Sequence, residues 1–139
     1  MITELKLQNF RNHEALRESF RPGMNAVIGS NGKGKTNLLE ALFFMLKKRS
    51  FRTADAREMV RKGDKQALVE GKIFLGREIS VRMLIGENGS VTVVKHNDEG
   101  EAVSFQPDDI WIVKGGPEER RRALDETICG VSKGYRETL

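Results

Sequence analysis

Cysteine is nearly missing from this 139-residue chain, which carries only Cys129. An internal disulfide is therefore excluded, and with His13 and His96 as the only histidines a structural zinc site cannot be assembled. Long apolar runs are missing too. No stretch approaches the ~20 apolar residues that a membrane-spanning helix requires. The N-terminal residues Met1 to Leu7 alternate charge with apolar side chains, unlike the uninterrupted core of a signal peptide. A soluble, cytoplasmic protein in a reducing compartment, without a membrane partner, is the expectation. Aromatic residues make up 6%, with one tryptophan, Trp111, read as a core residue rather than a base-stacking platform. Internal repeats and low-complexity linkers are absent, and the length suits one domain.

The chain has 38% hydrophobic and 32% charged residues, with the apolar ones patterned rather than scattered, so a folded core is expected. Its net charge is +4. That value is compatible with a nucleotide or nucleic-acid partner and equally with a solvated basic surface. One segment is far more specific. Gly29-Ser30-Asn31-Gly32-Lys33-Gly34-Lys35-Thr36 fits the phosphate-loop pattern G-x-x-x-x-G-K-[ST]. Before it stands the apolar run Met24 to Ile28, predicted as a buried strand, and after it the helix-like Asn37 to Leu42. The order is what phosphate binding demands: a strand aims the loop, glycines let backbone N–H groups close around oxygens, and a helix directs its positive end at them. In this role Lys35 bridges the β- and γ-phosphates of ATP and the Thr36 hydroxyl ligates Mg²⁺.

Two alternating segments, Thr3 to Leu7 and Leu16 to Phe20, predict strands before the loop, separated by a turn at Phe10-Arg11-Asn12-His13; with Met24 to Ile28 they make three. The helix carries apolar residues around most of its circumference, predicting burial on more than one side, and Lys47, Lys48 and Arg49 suit its negative end. Residues Ser50 to Asp64 are polar and basic, with a short helix over Ala56 to Lys62. Ala67 to Leu75, Ile79 to Ile85 and Ser90 to Val94 then predict an antiparallel meander, with a type I′ turn at Asn88-Gly89. A further turn at Asn97 to Gly100 leads to Val103 and Phe105, and Ile110 to Val113 is a short β-type run. Pro117 and two glutamates open a last helix with Leu124, Ile128, Val131 and Tyr135 on one face, and Gly130 and Gly134 weaken its end. The class is α/β, a mixed sheet with an antiparallel meander and few helices, forming one subdomain over residues 1–139.

Cleaving a phosphoanhydride needs more than this loop supplies. P-loop ATPases usually place a second magnesium anchor at the end of a buried strand. Asp98-Glu99, Asp108-Asp109 and Asp125-Glu126 do not end apolar strands, and no Ser-Gly-Gly signature loop is present. Catalytic residues are therefore unassigned, and the chain alone is expected to hydrolyse ATP negligibly.

Taken together, GSNGKGKTNLLEAL, the preceding LQNFRNHEAL, the following RSFRT and the late QPDDIWIVKGGPEERRRALDE resemble the first lobe of an SMC/ABC-type ATPase head of the RecF family. The resemblance implies an ATP-switched clamp on duplex or gapped DNA, acting in DNA replication, repair of DNA damage and the SOS response. Its partners would be recombination mediators of the RecR and RecO kind, with the heads self-associating through ATP. It places Arg11 and Asn12 beside the nucleotide with Gly29 to Asn37, lets Gln106 act as a magnesium-linked Q-loop residue, and offers Arg120, Arg121 and Arg122 to DNA or a partner head. Arg11 as a solvated turn residue, and the three arginines as a solvated helix face, are the competing readings. Lys33 stands where the family has a small residue and Gln106 where it has Ser or Thr, the stretch between Val94 and Phe105 is short, and the second lobe is absent. The alternatives in other classes are a small-molecule kinase with a phosphate loop, and an ATP-independent DNA-binding module whose loop is vestigial.

Overall fold

The computed structural model describes residues 1–95 and, beyond them, 104, 109, 114–118, 120, 121, 124, 125 and 128. The chain divides into two compact units, Met1–Ala102 and Val103–Leu139. In the first, five strands form one sheet: β1 (Ile2–Phe10), β2 (His13–Ser19), β3 (Gln66–Phe74), β4 (Glu78–Gly86) and β5 (Val91–Lys95), in the order β2-β1-β3-β4-β5. Every pairing is antiparallel, so the described sheet lacks the parallel pairs that a mixed sheet would carry. Among the described residues of this unit there are also one α-helix, α1 (Lys35–Lys47), and a 3₁₀ turn, Ala56–Met59.

Alternation along the strands puts Leu5 and Leu7 of β1, Ala67, Val69 and Ile73 of β3, and Val81, Met83 and Ile85 of β4 on one buried face. Leu38, Ala41, Phe44 and Met45 of α1 cover that face, with Met59 and Phe10 closing one end. Close approach depends on Gly71. A Cβ there would lie on the Met45 sulfur and 2.7 Å from the Glu4 carbonyl oxygen, so no side chain fits between helix and sheet. The opposite face is polar, and its ion pairs run across the strands, Arg17 on Glu4, Arg82 on Glu70 and Lys72 on Glu78, with Lys6 on Glu4 along β1.

Both strands expected at the N-terminus form, each longer than the alternation marks, and so do the three strands of the meander. The third strand before the loop does not. Residues 20–30 form no strand, and Met24 and Ile28 are 98% and 91% exposed. A strand needs a neighbour to satisfy its N–H and C=O groups. Here the Asn25 side chain takes that role locally: its Oδ1 accepts from the Arg21 N–H at 3.1 Å, and its Nδ2 donates to the Arg21 and Gly23 carbonyls at 2.9 and 3.2 Å.

Three smaller differences have equally local causes. The β4–β5 turn holds positive φ at Gly89 alone, so it is not type I′. Gly89 N–H donates to Gly86 O at 2.9 Å and Gly86 N–H to Ser90 O at 2.8 Å, making a three-residue loop whose glycine carries the left-handed conformation. Helix α1 is buried along one face rather than several: Leu39, on the other side, is half exposed. Lys47 lies in the helix's last turn, while Lys48 closes it in the left-handed conformation, donating its N–H to Phe44 O at 2.8 Å. The short helix predicted over Ala56 to Lys62 is the 3₁₀ turn, capped by Asp55 through the Arg57 N–H.

In the second unit, Pro117, Glu118, Arg120, Arg121, Leu124, Asp125 and Ile128 are helical, as the acidic opening after Pro117 predicts. His96, the turn at Asn97 to Gly100, Val103, Phe105, Gln106, Trp111, the run Ile110 to Val113, Arg122, Cys129 and the end of that helix lie outside the described residues. Among the described residues no helix is long and apolar enough to cross a membrane.

Candidate phosphate-binding site

The loop from Gly29 to Lys33 is exposed and enters α1 at Gly34, whose φ of 90° is left-handed and accessible to glycine at little cost. A Cβ at Gly34 would also fall 2.5 Å from His13 Nε2 and 2.6 Å from Asn12 Oδ1, so the glycine serves close packing as well as conformation. The helix start has no side-chain cap. Its first-turn N–H groups and the positive end of its dipole thus face outward, which is the donor set an anion takes. At Gly29 and Gly32 a Cβ would meet nothing within 4 Å, so the loop offers open space rather than a packed wall.

The β1–β2 hairpin holds the loop from one side. Asn12 Nδ2 donates to Gly32 O at 3.1 Å, and His13 Nε2 lies 3.1 Å from Gly34 O. Asn37, one residue past the loop, donates through Nδ2 to Asn12 Oδ1 at 2.7 Å. From the other side Lys35 curls back, its ammonium donating to Gly29 O at 2.7 Å and to Ser30 O at 2.9 Å. Lys33 N–H reaches Ser30 O at 3.4 Å, and Thr36 is exposed at the helix start. Asn12, Asn37, Lys35 and the loop backbone are therefore brought together by these contacts.

Arg11 goes elsewhere. Its φ of 52° is unusual for a residue with a Cβ, and its surroundings over-determine it. The Arg11 N–H donates to Met59 O at 2.8 Å, and its guanidinium grips the Glu40 carboxylate through Nε at 2.9 Å and Nη2 at 2.7 Å. Burial opposes the Arg11 charge. The hydrogen bonds and attraction of Glu40, with Glu58 adding to them at 3.5 Å, more than offset that and hold the guanidinium pKa above its ordinary value. Arg11 is thus neither a solvated turn residue nor a loop contact.

Glu40 is the buried charge around which this side of the site is built, and it is fully enclosed. Four donors satisfy its two oxygens: the two from Arg11, the Ser50 hydroxyl at 2.5 Å and Arg52 Nη1 at 3.3 Å. Ser50 Oγ in turn accepts from the backbone N–H groups of Arg52 and Thr53 at 2.9 and 3.2 Å, which folds the RSFRT stretch against the helix. Phe51 packs edge-on to Phe43 with ring centroids 5.5 Å apart. Arg52 Nη1 also donates to Asn37 Oδ1 at 2.6 Å, closing a chain of contacts from Glu40 to the loop. Sequence reasoning passed over Glu40, although one acid inside Leu38 to Leu46 had to face either the core or water. His13, Ser50 and Arg52 stand inside the LQNFRNHEAL and RSFRT blocks of the resemblance, which assigned them no role.

In the second unit Arg120 and Arg121 are exposed, and Arg120 Nη1 donates to Gly115 O at 3.2 Å, tying it to its own helix start. Among the described residues no group of acidic, histidine or cysteine side chains could by itself hold a metal ion. The concavity of about 540 Å³ over β1, β2 and β3, lined by Lys6, Gln8, Glu14 and Arg17 among others, lies on the ion-paired face, away from the loop.

An antiparallel sheet with one covering helix, led by a glycine loop that a hairpin braces, defines the N-terminal lobe of an SMC-type ATPase head. The model of the RecF/RecN/SMC N-terminal domain matches residues 1–103, and the chain belongs to that family. The DNA replication and repair protein RecF of Lactobacillus johnsonii is 36% identical over 96% of this chain, and that of Bacillus mycoides 34% identical over the same share. The chain spans 38% of the length of each. Among solved structures, the recombination mediator protein RecF-ATP of the RecFOR pathway aligns over 96% of this chain and 39% of its own, with a TM-score of 0.76 and 32% identity. RecF-ATPrS of the same pathway reaches 0.82 at 30% identity, over 97% of this chain and 40% of its own. A structure described under ATP-driven dimerisation of SMC ATPases, 20% identical, shares the fold with a TM-score of 0.71 and is covered over 99% of its length.

Proposed function

We propose that this chain is the ATP-binding lobe of a RecF-like DNA replication and repair protein. The observation that carries the reading is the uncapped start of α1 behind a left-handed Gly34, with Lys35 folded over the loop and Asn12 bracing it. Membership of the family and the likeness to RecF-ATP support it. In this reading the N–H groups of Asn31 to Thr36 hold the phosphates, and Lys35 exchanges two loop carbonyls for β- and γ-phosphate oxygens. Mg²⁺, when bound, would neutralise phosphate charge, and the Thr36 hydroxyl, exposed at the start of α1, would be the side chain that holds it.

Beyond nucleotide binding, the family resemblance extends the reading to ATP-dependent engagement of duplex or gapped DNA, with recombination mediators of the RecR and RecO kind as partners. Heads would associate through the nucleotide. Arg120, Arg121 and Arg122 are the positions on this chain assigned to DNA or a partner head, and Gln106 keeps its assignment to the magnesium ligand sphere. Residues 1–139 act in this reading as one subdomain, in the cytoplasm, that holds ATP without cleaving it efficiently.

Fluorescent Mg·ATP titrated against the purified chain and Lys35→Ala tests the core of the proposal. Loss of saturable binding in the variant is expected; equal binding by both would remove the loop as the site. Parent binding to duplex DNA that ignores both ATP and Lys35→Ala would favour the vestigial-loop alternative. Steady ATP turnover that disappears in Lys35→Ala would overturn the expectation of negligible hydrolysis.

A further inference from the structure

Three consecutive residues, Arg11, Asn12 and His13, carry the tip of the β1–β2 hairpin, and they reach in two directions. Arg11 fastens the tip to the body of the lobe, through its N–H to Met59 O at 2.8 Å and its guanidinium to Glu40. The Arg61 N–H, donating to Asn9 O at 2.8 Å, adds a second tie. Asn12 and His13 reach the other way, each to a loop carbonyl: Asn12 Nδ2 to Gly32 O and His13 Nε2 to Gly34 O, both at 3.1 Å. A carbonyl only accepts, so Nε2 is the ring nitrogen that carries the hydrogen. Gly34 O does not need this bond to be satisfied. It already accepts from the Leu38 N–H at 2.9 Å, the first hydrogen bond of α1, and the imidazole takes its second lone pair.

The effect of that extra bond falls on the far side of the peptide. The loop peptides are trans, with C=O and N–H pointing in opposite directions, so a carbonyl drawn toward the hairpin turns the next N–H away from it. Asn12 thereby fixes the Gly32–Lys33 peptide and His13 the Gly34–Lys35 peptide. Gly32 and Gly34 are left-handed, with φ of 79° and 90°, and Lys33 between them is not. Alternation of this kind curls successive N–H groups into a concavity that suits an anion. We propose that His13 is a positioning residue for the phosphate loop: its imidazole holds the Gly34 carbonyl and so keeps the Lys35 N–H aimed at a nucleotide phosphate oxygen. This rests on the ATP-binding reading above. His13 itself touches no phosphate in this assignment. Ring and glycine are fitted to each other, since a Cβ at Gly34 would fall 2.5 Å from His13 Nε2.

The test compares the parent chain with Lys35→Ala, His13→Phe and His13→Gln. Phenylalanine keeps a ring of similar size without a donor, whereas glutamine places an N–H donor close to where Nε2 stands. Mg·ATP affinity is read by fluorescence titration, folding by thermal melting, and the Lys35 amide by its NMR signal as Mg·ATP or pyrophosphate is added. Losing the bond that aims one phosphate donor is expected to weaken Mg·ATP by about three- to tenfold in His13→Phe, with His13→Gln recovering most of that loss. The Lys35 amide signal should move on ligand addition in the parent and in His13→Gln, and move much less in His13→Phe. Parental affinity in His13→Phe would overturn the inference. So would a loss in His13→Gln as large as in His13→Phe, which would reduce the ring to packing. Should His13→Phe fail to fold, His13→Asn decides in its place: its shorter amide cannot reach Gly34 O, and parental affinity there removes the proposal. If the parent itself does not bind Mg·ATP, the proposed function falls and this inference with it; binding lost in Lys35→Ala but parental in His13→Phe leaves the function standing and removes only His13.

Discussion

The two flanks of the phosphate loop are built on opposite principles. Downstream, α1 and the RSFRT stretch are locked by a buried carboxylate, four donors to it and an apolar face pressed on the sheet. Upstream, Met24 to Ile28 is just as apolar in composition, yet it makes no ladder and stands in solvent. Hydrophobicity marks what can be buried; a partner surface decides whether it is. The helix finds its partner in β1, β3 and β4, all within 90 residues of the N-terminus. The apolar run finds none among the described residues, and an asparagine ties its backbone to the preceding turn.

Substitutions on the two sides should therefore differ sharply. Glu40→Ala leaves the largely buried Arg11 with only the longer 3.5 Å contact to the exposed Glu58 and is expected to cost about 3–5 kcal/mol in urea denaturation. A cost near that of a surface change would mean that the cluster is solvated and the contrast illusory. Gly34→Ala should cost about 1–3 kcal/mol, since the left-handed φ is retained and the methyl group runs into His13 and Asn12. Its Mg·ATP affinity should fall further than its stability accounts for, because the loop cannot keep its shape; an unchanged Kd would break the link between hairpin and loop. Asp55 offers a gentler probe of the downstream side. Its carboxyl is held below the ordinary value of 3.8, first by the side-chain hydrogen bonds of Arg57 and then by the Arg57 N–H. A depressed folded-state pKa contributes stability that is present above the unfolded value and is lost as pH falls through the folded one. Stability of the parent should thus decline below about pH 4 more steeply than that of Asp55→Asn. At the small end, Ile28→Ser should change stability by no more than ~0.5 kcal/mol, as for any exposed site. A loss of several kcal/mol there would show that the run is covered in solution.

How far the fold is legible in the sequence follows the same division. Strict alternation over Glu4 to Leu7 and over Ile79 to Ile85 announces strands because each has one wet and one dry face. The phosphate loop is legible because its chemistry admits few residue types at fixed spacing. Met24 to Ile28 misleads because pairing is a non-local property that composition does not encode. The role of Arg11 is hidden for a related reason: its partner, Glu40, lies 29 residues away, and only the fold brings them together.

The absence of a side chain at Gly71 also sets the attitude of the phosphate-binding end. Helix α1, at 13 residues, is a stiff rod about 20 Å long. Its far end rests on β3 where the Met45 sulfur meets Gly71. Lifting that end tips the whole rod, and the tilt is delivered at Lys35, Thr36 and Asn37, where the aim of a few N–H groups matters most. One hydrogen atom on a strand, remote from the loop, thus acts as the fulcrum that levels the site.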